Sequence, residues 1–318
     1  MKQYNVAIVG ATGLVGQTFL EILNNTDLPI KSLRLFASEK SKGKTLYYKD
    51  QPITIETIEK GVFETVDYAL FSIGSLLSKQ YAKQANKEGC KVIDNSSAFR
   101  FDDEVPLVVP SINFDDVITH DLIANPNCST IQSVIPLDVI RQLANILTVR
   151  YTTYQSVSGS GHKGLEALHE NTGFYPVDIK QTVYPKIDVL LDDGYTFEEK
   201  KMIDETQKIL HDPHILLNAT CVRVPVERGH AVSIEVKTDK QIDLDVLKAA
   251  LNDHPMITLD AFPNTVDVSR KNIVSVGRIR RDKIDQNGIL LFIAADNLYV
   301  GAAQNAVDIL QKMMAHEA

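Results

Sequence analysis

The chain has 318 residues, 44% hydrophobic and 23% charged, with a formal net charge of -8. That length fits two domains, each long enough to bury a core, and the composition is that of an ordinary soluble globular protein. The acidic balance argues against a nucleic-acid surface, leaving room only for a local basic pocket, and no apolar run is long enough to span a bilayer.

In chain order, NVAIV (5–9) reads as a short buried strand followed by a Gly-rich turn. A helix with Leu14, Phe19, Ile22 and Leu23 on one face comes next, ended by Asn25, Thr26 and Pro29. Strands are expected at 32–38, 66–74, 91–95, 105–110 and 121–126, with a helix over about 77–88. Strands alternating with helices predict a parallel sheet, an α/β arrangement. The pattern changes after Pro126. A helix over about 130–147 leads into a long strand, 148–159, and a charged amphipathic helix follows at 197–211. Residues 221–226 and 230–237 read as a hairpin closed by Glu227-Arg228-Gly229. A helix at 243–252, a strand at 288–296 and a last amphipathic helix at about 300–314 complete the chain. The expected domains are 1–126 and 127–297, with the segment from about 298 to 318 packing back on the first.

Gly10-Ala11-Thr12-Gly13-Leu14-Val15-Gly16 joins the first strand to the first helix. Glycines there let a backbone approach a pyrophosphate, and the helix start offers N–H donors and positive potential; a tight turn without a ligand is the alternative. The second strand runs into Ser38-Glu39-Lys40-Ser41-Lys42-Gly43-Lys44, hydroxyls and ammonium groups that suit a 2′-phosphate. A solvated polar loop would look the same. On an extended segment Glu39 would point away from Ser38 and Lys40.

The cysteines, Cys90, Cys128 and Cys221, are odd in number and have neither framework nor metal-ligand spacing. They predict free thiols in a reducing, cytoplasmic setting and no metal. The N-terminus MKQYNVAIVGATGLVG lacks a secretory pattern. Cys90 and Cys221 adjoin or lie in apolar strands, as core residues do. Cys128 instead opens a helix in Asn125-Pro126-Asn127-Cys128-Ser129-Thr130, where the dipole favours thiolate and Ser129 or Thr130 could cap. Arg223 and His230, opposed across the expected hairpin, would offer a carboxylate fork and an acid–base group. Arg100 could clamp an anion or be a surface charge, and Glu198 with Lys201 could be an ordinary i,i+3 pair.

Together GATGLVG (10–16), FASEKSKGK (36–44), DNSSAFR (94–100), NPNCST (125–130), TYQSVSGSG (153–161), EEKKMIDETQKI (198–209), RVPVERGH (223–230) and DNLYVGAAQNA (296–306) resemble the aspartate-semialdehyde dehydrogenases over essentially the whole chain. The resemblance implies a Rossmann-type dinucleotide-binding domain and an α+β catalytic domain that also forms a homodimer. It implies NADP as cofactor and inorganic phosphate beside a small-molecule substrate, with no membrane. Cys128 would be the nucleophile and His230 the acid–base. Gln155 and Arg223 would orient the substrate amino-acid end, Glu198 would lie near its amine, and Asn127 beside the nucleophile. Arg100 and Lys201 would hold phosphate. Gly10, Thr12, Gly13, Leu14, Val15, Gly16, Ser38, Lys40, Ser41, Ser158, Gly159 and Asn297 would contact NADP. The sequence departs from the family pattern at Lys40-Ser41, where Arg-Ser is usual, and at Gly74-Ser75, where Gly-Gly is common. The nearest rival is N-acetyl-gamma-glutamyl-phosphate reductase, which runs the same chemistry on a longer substrate. A non-catalytic NADP-binding regulator on this scaffold is the rival from another class.

Overall fold

A computed structural model of the chain describes residues 2–170 and 172–317. It divides into two compact units, Met1–Pro126 with Ala302–Ala318, and Asn127–Gly301.

In the first unit β1 (Tyr4–Val9), α1 (Leu14–Asn24), β2 (Ile30–Phe36), β3 (Thr45–Tyr48), β4 (Gln51–Glu56), β5 (Tyr68–Phe71), α2 (Ser75–Lys87), β6 (Lys91–Asp94) and β7 (Leu122–Ala124) build one sheet. Its order is β3-β4-β2-β1-β5-β6-β7, parallel except for the β3–β4 pair. β1 and β5 are buried along almost their whole length, as a doubly covered parallel sheet requires. The order reverses on either side of β1, so the carboxyl ends of β1 and its neighbours flank a switch point, where such sheets take ligands. The β3–β4 hairpin is not signalled in the sequence. Its turn is Lys49-Asp50, both in the left-handed region, rather than an Asn-Gly or Asp-Gly pair. The strand expected at 105–110 does not form. Pro106 and Pro110 lack the N–H that a ladder needs, and only Leu107 bridges Ala124.

The second unit contains α3 (Cys128–Leu143), β8 (Ile146–Gln155), α4 (Gly161–Glu170), α5 (Phe197–Leu210), β9 (Leu216–Arg223), β10 (His230–Thr238), α6 (Leu244–Asp253), β11 (Ile257–Leu259), β12 (Val274–Arg281) and β13 (Gly288–Ala295). Its mixed sheet runs β11-β12-β13-β10-β8-β9. The hairpin expected from 221–226 and 230–237 is therefore absent. β8 lies between those strands, parallel to β9 and antiparallel to β10. The connection crosses the end of β8, where Val224 N–H bonds to Gln155 O and Val157 N–H to Val226 O. β8 itself ends at Gln155, four residues early, because a 3-10 turn takes over at Val157–Ser160. Along β8, Val149, Tyr151, Thr153 and Gln155 are buried, while Arg150 and Tyr154 are exposed. α3 packs on β8, β10 and β13 and against α5, and it is buried from Ser129 to Ile140. After a π-helical turn at Tyr299–Ala303, α7 (Gln304–His316) returns to the first unit, with Asn305 Nδ2 bonded to Val108 O and Asn125 Oδ1. Among the described residues no helix is long and apolar enough to cross a membrane.

Candidate active site

Cys128 is the first residue of α3, and it alone of the three cysteines is partly exposed. Burial pushes the Cys90 and Cys221 thiols well above their usual range, so neither offers a thiolate at neutral pH. The cap of α3 is Asn127, not Ser129 or Thr130. Its Oδ1 accepts from the N–H groups of Ser129 (2.9 Å) and Thr130 (3.3 Å), the geometry that a residue in extended conformation just before the helix adopts.

Asn127 opens a buried polar cluster. Its Nδ2 donates to Glu198 Oε1 at 3.0 Å, and Gln155 Nε2 donates to the same oxygen at 2.8 Å. Lys201 Nζ stands 2.6 Å from Glu198 Oε2 and 2.9 Å from Asp188. Glu198 and Lys201 thus form the i,i+3 pair the spacing allows, but a buried one. Burial would raise the Glu198 pKa; the Lys201 charge and hydrogen bond, then Gln155 and Asn127, outweigh it and hold the carboxyl well below the usual carboxylate range.

A second cluster is built on strand register. Arg223 pairs with Gln155, and Gln155 with His230, so the three side chains stand in a row across β9, β8 and β10. Arg223 and His230 are two strands apart, with Gln155 between them. All three are buried. Ser156 N–H donates to His230 Nδ1 at 3.0 Å, and Ser156 Oγ lies 3.1 Å from the same nitrogen. An N–H facing Nδ1 makes it the acceptor, so the neutral ring carries its proton on Nε2. Burial, then the Arg223 charge, push the His230 pKa down to about 3. Nε2 is buried and has no hydrogen-bond partner among the described residues. Gly159 completes the row: a Cβ there would stand 3.1 Å from Arg223 Nη1 and 3.5 Å from the His230 ring. Arg223 Nη1 donates to Ser156 O at 2.5 Å. Asn297 Oδ1 accepts from Ser156 Oγ, Ser158 Oγ and Gly229 N–H.

In the first unit Gly10 has φ +92, and a Cβ on it would lie 2.2 Å from Ser72 O. A Cβ on Gly16 would lie 2.1 Å from Gly10 O. Both glycines are therefore fixed by packing, one by the tight turn and one by close approach of α1. Gly13 has ordinary space and caps α1 with no side chain, so no side chain competes at the first-turn N–H groups. Thr12, Leu14 and Val15 lie in that same turn and first helical turn. A glycine turn at a helix start of this kind can accept the phosphates of a dinucleotide. Ser38 and Lys40 are exposed and Ser41 is buried. Glu39–Ser41 is a 3-10 turn rather than extended chain, so alternation does not place Glu39; it lies 3.9 Å from Lys42 Nζ. Arg100 is buried rather than a surface charge, with Nη2 bonded to Asn95 O at 2.8 Å.

Residues 5–120 match the semialdehyde dehydrogenase NAD binding domain, and residues 137–300 match the semialdehyde dehydrogenase dimerisation domain. The chain is 43% identical to the aspartate-semialdehyde dehydrogenase of Aquifex aeolicus, with 98% of each chain covered, and 40% identical to that of Bacillus subtilis, with 97% of each covered. A crystal structure of aspartate semialdehyde dehydrogenase II from Vibrio cholerae complexed with ASA has a TM-score of 0.96 at 41% identity, covering 99% of each chain. The chain belongs to the aspartate-semialdehyde dehydrogenase family.

Several groups within this family's motifs are not singled out as site residues in the sequence. Ser156, read only as part of a strand, sets the histidine tautomer. Gly301 sits against Cys128, where a Cβ would lie 2.8 Å from Cys128 Cβ. Asp296, fully buried, accepts from the N–H groups of Leu298 and Tyr299 and pairs with Arg228 at 2.6 Å, tying the strand-end loop to that turn. Glu205 accepts the Asn127 N–H at 2.6 Å. All four lie inside those motifs, Ser156 in 153–161, Glu205 in 198–209, and Asp296 and Gly301 in 296–306, but nothing local in those segments marks what each one touches.

Proposed function

We infer that the chain is an aspartate-semialdehyde dehydrogenase that reduces L-4-aspartyl phosphate to L-aspartate 4-semialdehyde, reversibly, releasing phosphate. The enzyme serves the biosynthesis of lysine, threonine, methionine and diaminopimelate. The observation that carries this reading is Cys128 at the start of α3, with its neighbour Asn127 bonded into the Glu198–Gln155–Lys201 cluster and the row Arg223–Gln155–His230 beyond. The Cys128 thiolate attacks the acyl carbon, a C–S bond forms, and the C–O bond to phosphate breaks. Bound NADPH supplies the hydride that reduces the resulting thioester. The thiohemiacetal then collapses to aldehyde and thiolate. His230 is the acid–base group, and its resting tautomer offers Nε2–H to oxygen that gains charge during these steps. Covalent attachment splits one displacement into two easier ones.

Arg223 takes the substrate carboxylate as a bidentate fork, Gln155 orients the same end, and Glu198, ionised, meets the amine. Arg100 and Lys201 hold the phosphate. The glycine turn Gly10–Gly16 holds the pyrophosphate, with Ser158, Gly159 and Asn297 as further contacts. The aspartyl names of the relatives favour this substrate over the N-acetylglutamyl rival, and the presence of both Cys128 and His230 disfavours a non-catalytic regulator. A homodimer is supported by the second-domain match and by the outer sheet face, where Tyr154 and Leu216 lie exposed. A cytoplasmic, reducing setting suits three cysteines that form no disulfide.

Cys128→Ala should abolish turnover while the protein still folds and binds coenzyme; near-normal turnover would overturn the mechanism. NADP is the preferred coenzyme, read by Ser38, Lys40 and Ser41. The wild type should favour NADP over NAD by at least about tenfold in kcat/KM, or about 1.4 kcal/mol. Lys40→Ala should narrow the gap by weakening NADP alone, and an equal loss with NAD would show that this turn does not read the 2′-phosphate.

A further inference from the structure

α5 buries one face, made of Glu198, Lys201, Met202, Glu205 and Ile209. Glu198 and Lys201 have parts in the proposed reaction, and Glu205 has none. Yet Glu205 is 1% exposed, and a carboxylate out of water costs several kcal/mol unless it is well bonded. Its Oε2 accepts the backbone N–H of Asn127 at 2.6 Å.

That bond completes a set. Asn127 now has its N–H on Glu205, its Nδ2 on Glu198, its Oδ1 on Ser129 and Thr130, and its carbonyl on the Ile131 N–H. Two carboxylates seven residues apart on one helix grip the backbone and the side chain of the residue before Cys128. Helix capping does not explain the first grip. The first-turn N–H groups of Ser129 and Thr130 are already met by Asn127 Oδ1, and the N–H that Glu205 takes lies before the helix. What Glu205 does fix is the peptide leading into Cys128, and through it the place from which the thiolate attacks.

We propose that Glu205 is a positioning residue for the nucleophile: its carboxylate oxygen holds the Asn127 peptide so that Cys128 enters α3 in attacking position. The proposal rests on Cys128 as the nucleophile. What matters is an acceptor oxygen at the right reach, not the charge, and two conservative variants separate these. Glu205→Gln keeps an sp² oxygen at full length and loses the charge. Glu205→Asp keeps the charge and withdraws the oxygen by one methylene, about 1.5 Å. Misplacement on that scale costs up to about a hundredfold in rate.

The experiment compares kcat, KM for aspartate semialdehyde, and the rate of Cys128 alkylation by iodoacetamide, with folding checked by thermal melts. Glu205→Gln should keep kcat within about threefold of wild type, while Glu205→Asp should lose at least about tenfold in kcat with KM changed less than about twofold. Alkylation should follow the same order. A purely structural role would lower the melting temperature of both without this split. Glu205→Asp performing as well as or better than Glu205→Gln in kcat or in alkylation would overturn the proposal. Turnover by Cys128→Ala would instead overturn the nucleophile reading beneath it, whatever order the Glu205 variants show.

Discussion

Glu198 and His230 stand on neighbouring parts of one unit, linked through Gln155, and both are buried. Burial pushes each toward its neutral form, yet one stays charged and the other stays neutral. The difference lies in what faces each group. Glu198 meets an ammonium and two amide N–H donors, all of which favour a carboxylate. His230 meets a guanidinium and a backbone N–H, both of which disfavour an imidazolium. At Glu198 the donors, placed by strand register and by the i,i+3 spacing of α5, override burial; at His230 burial is the larger cause and the guanidinium adds to it. A substrate with an ammonium, a carboxylate and a reacting carbonyl can thereby meet a fixed anion, a fixed cation and a neutral donor.

The largest expected effect comes from removing the cation of the charged cluster. Lys201→Met keeps volume and leaves Glu198 buried without its ion pair, which should cost about 3–5 kcal/mol of stability at neutral pH. The sign with pH is defined. In the wild type the depressed Glu198 contributes stability that is present above its ordinary value of 4.5 and is lost as pH falls below it. In Lys201→Met the carboxyl loses its main partner, so its pKa rises and the variant's deficit should shrink on acidification. Adding Glu198→Gln should restore most of the loss. Urea midpoints at two pH values for the four proteins of this cycle check it. A Lys201→Met protein as stable as wild type would mean that its ammonium is not what keeps Glu198 ionised.

How much of this was legible in the sequence differs between the two units. In the first, the glycine turn and the strands at 5–9 and 91–95 announce themselves, because a parallel strand buried on both faces is a plain apolar run and a tight turn needs glycine. The prolines at 106 and 110 gave warning against a strand between them. In the second unit, residue types and positions were readable but the partner of each strand was not. Two apolar strands around Glu227-Arg228-Gly229 look like a hairpin, and nothing local reveals that β8 inserts between them. The Arg223–Gln155–His230 row depends on that long-range pairing. The roles of Ser156 and Glu205 depend on a backbone N–H that no residue pattern encodes. That Cys128 opens a helix was readable because a helix start and a polar turn are local facts; its cap was misplaced by two or three residues because Asn127, Ser129 and Thr130 are all capping residues.

The neutral cluster gives the smaller effect, and one with a clear window. His230 titrates near 3 in the folded chain and near 6.5 when unfolded, so between those values the unfolded state binds more protons. Stability is therefore complete above about pH 6.5 and is lost as pH falls toward 3. For one proton the slope is at most about 1.4 kcal/mol per pH unit, or about 2.7 kcal/mol over the two units from 6.5 to 4.5. His254 is shifted the same way by burial, while Asp94 and Asp308, raised by burial, oppose it on acidification. The clean readout is thus the difference between wild type and His230→Gln, in which these other groups cancel. That difference should change steadily from pH 7 to pH 5, with His230→Gln losing less stability than wild type. The kcat profile of the wild type should also lack a limb at the ordinary histidine pKa. If the two proteins lose stability in parallel, His230 is not held neutral, and the contrast with Glu198 fails at its histidine end. If the slope appears but Arg223→Met leaves it unchanged, burial and the Ser156 N–H account for the neutral ring without the guanidinium.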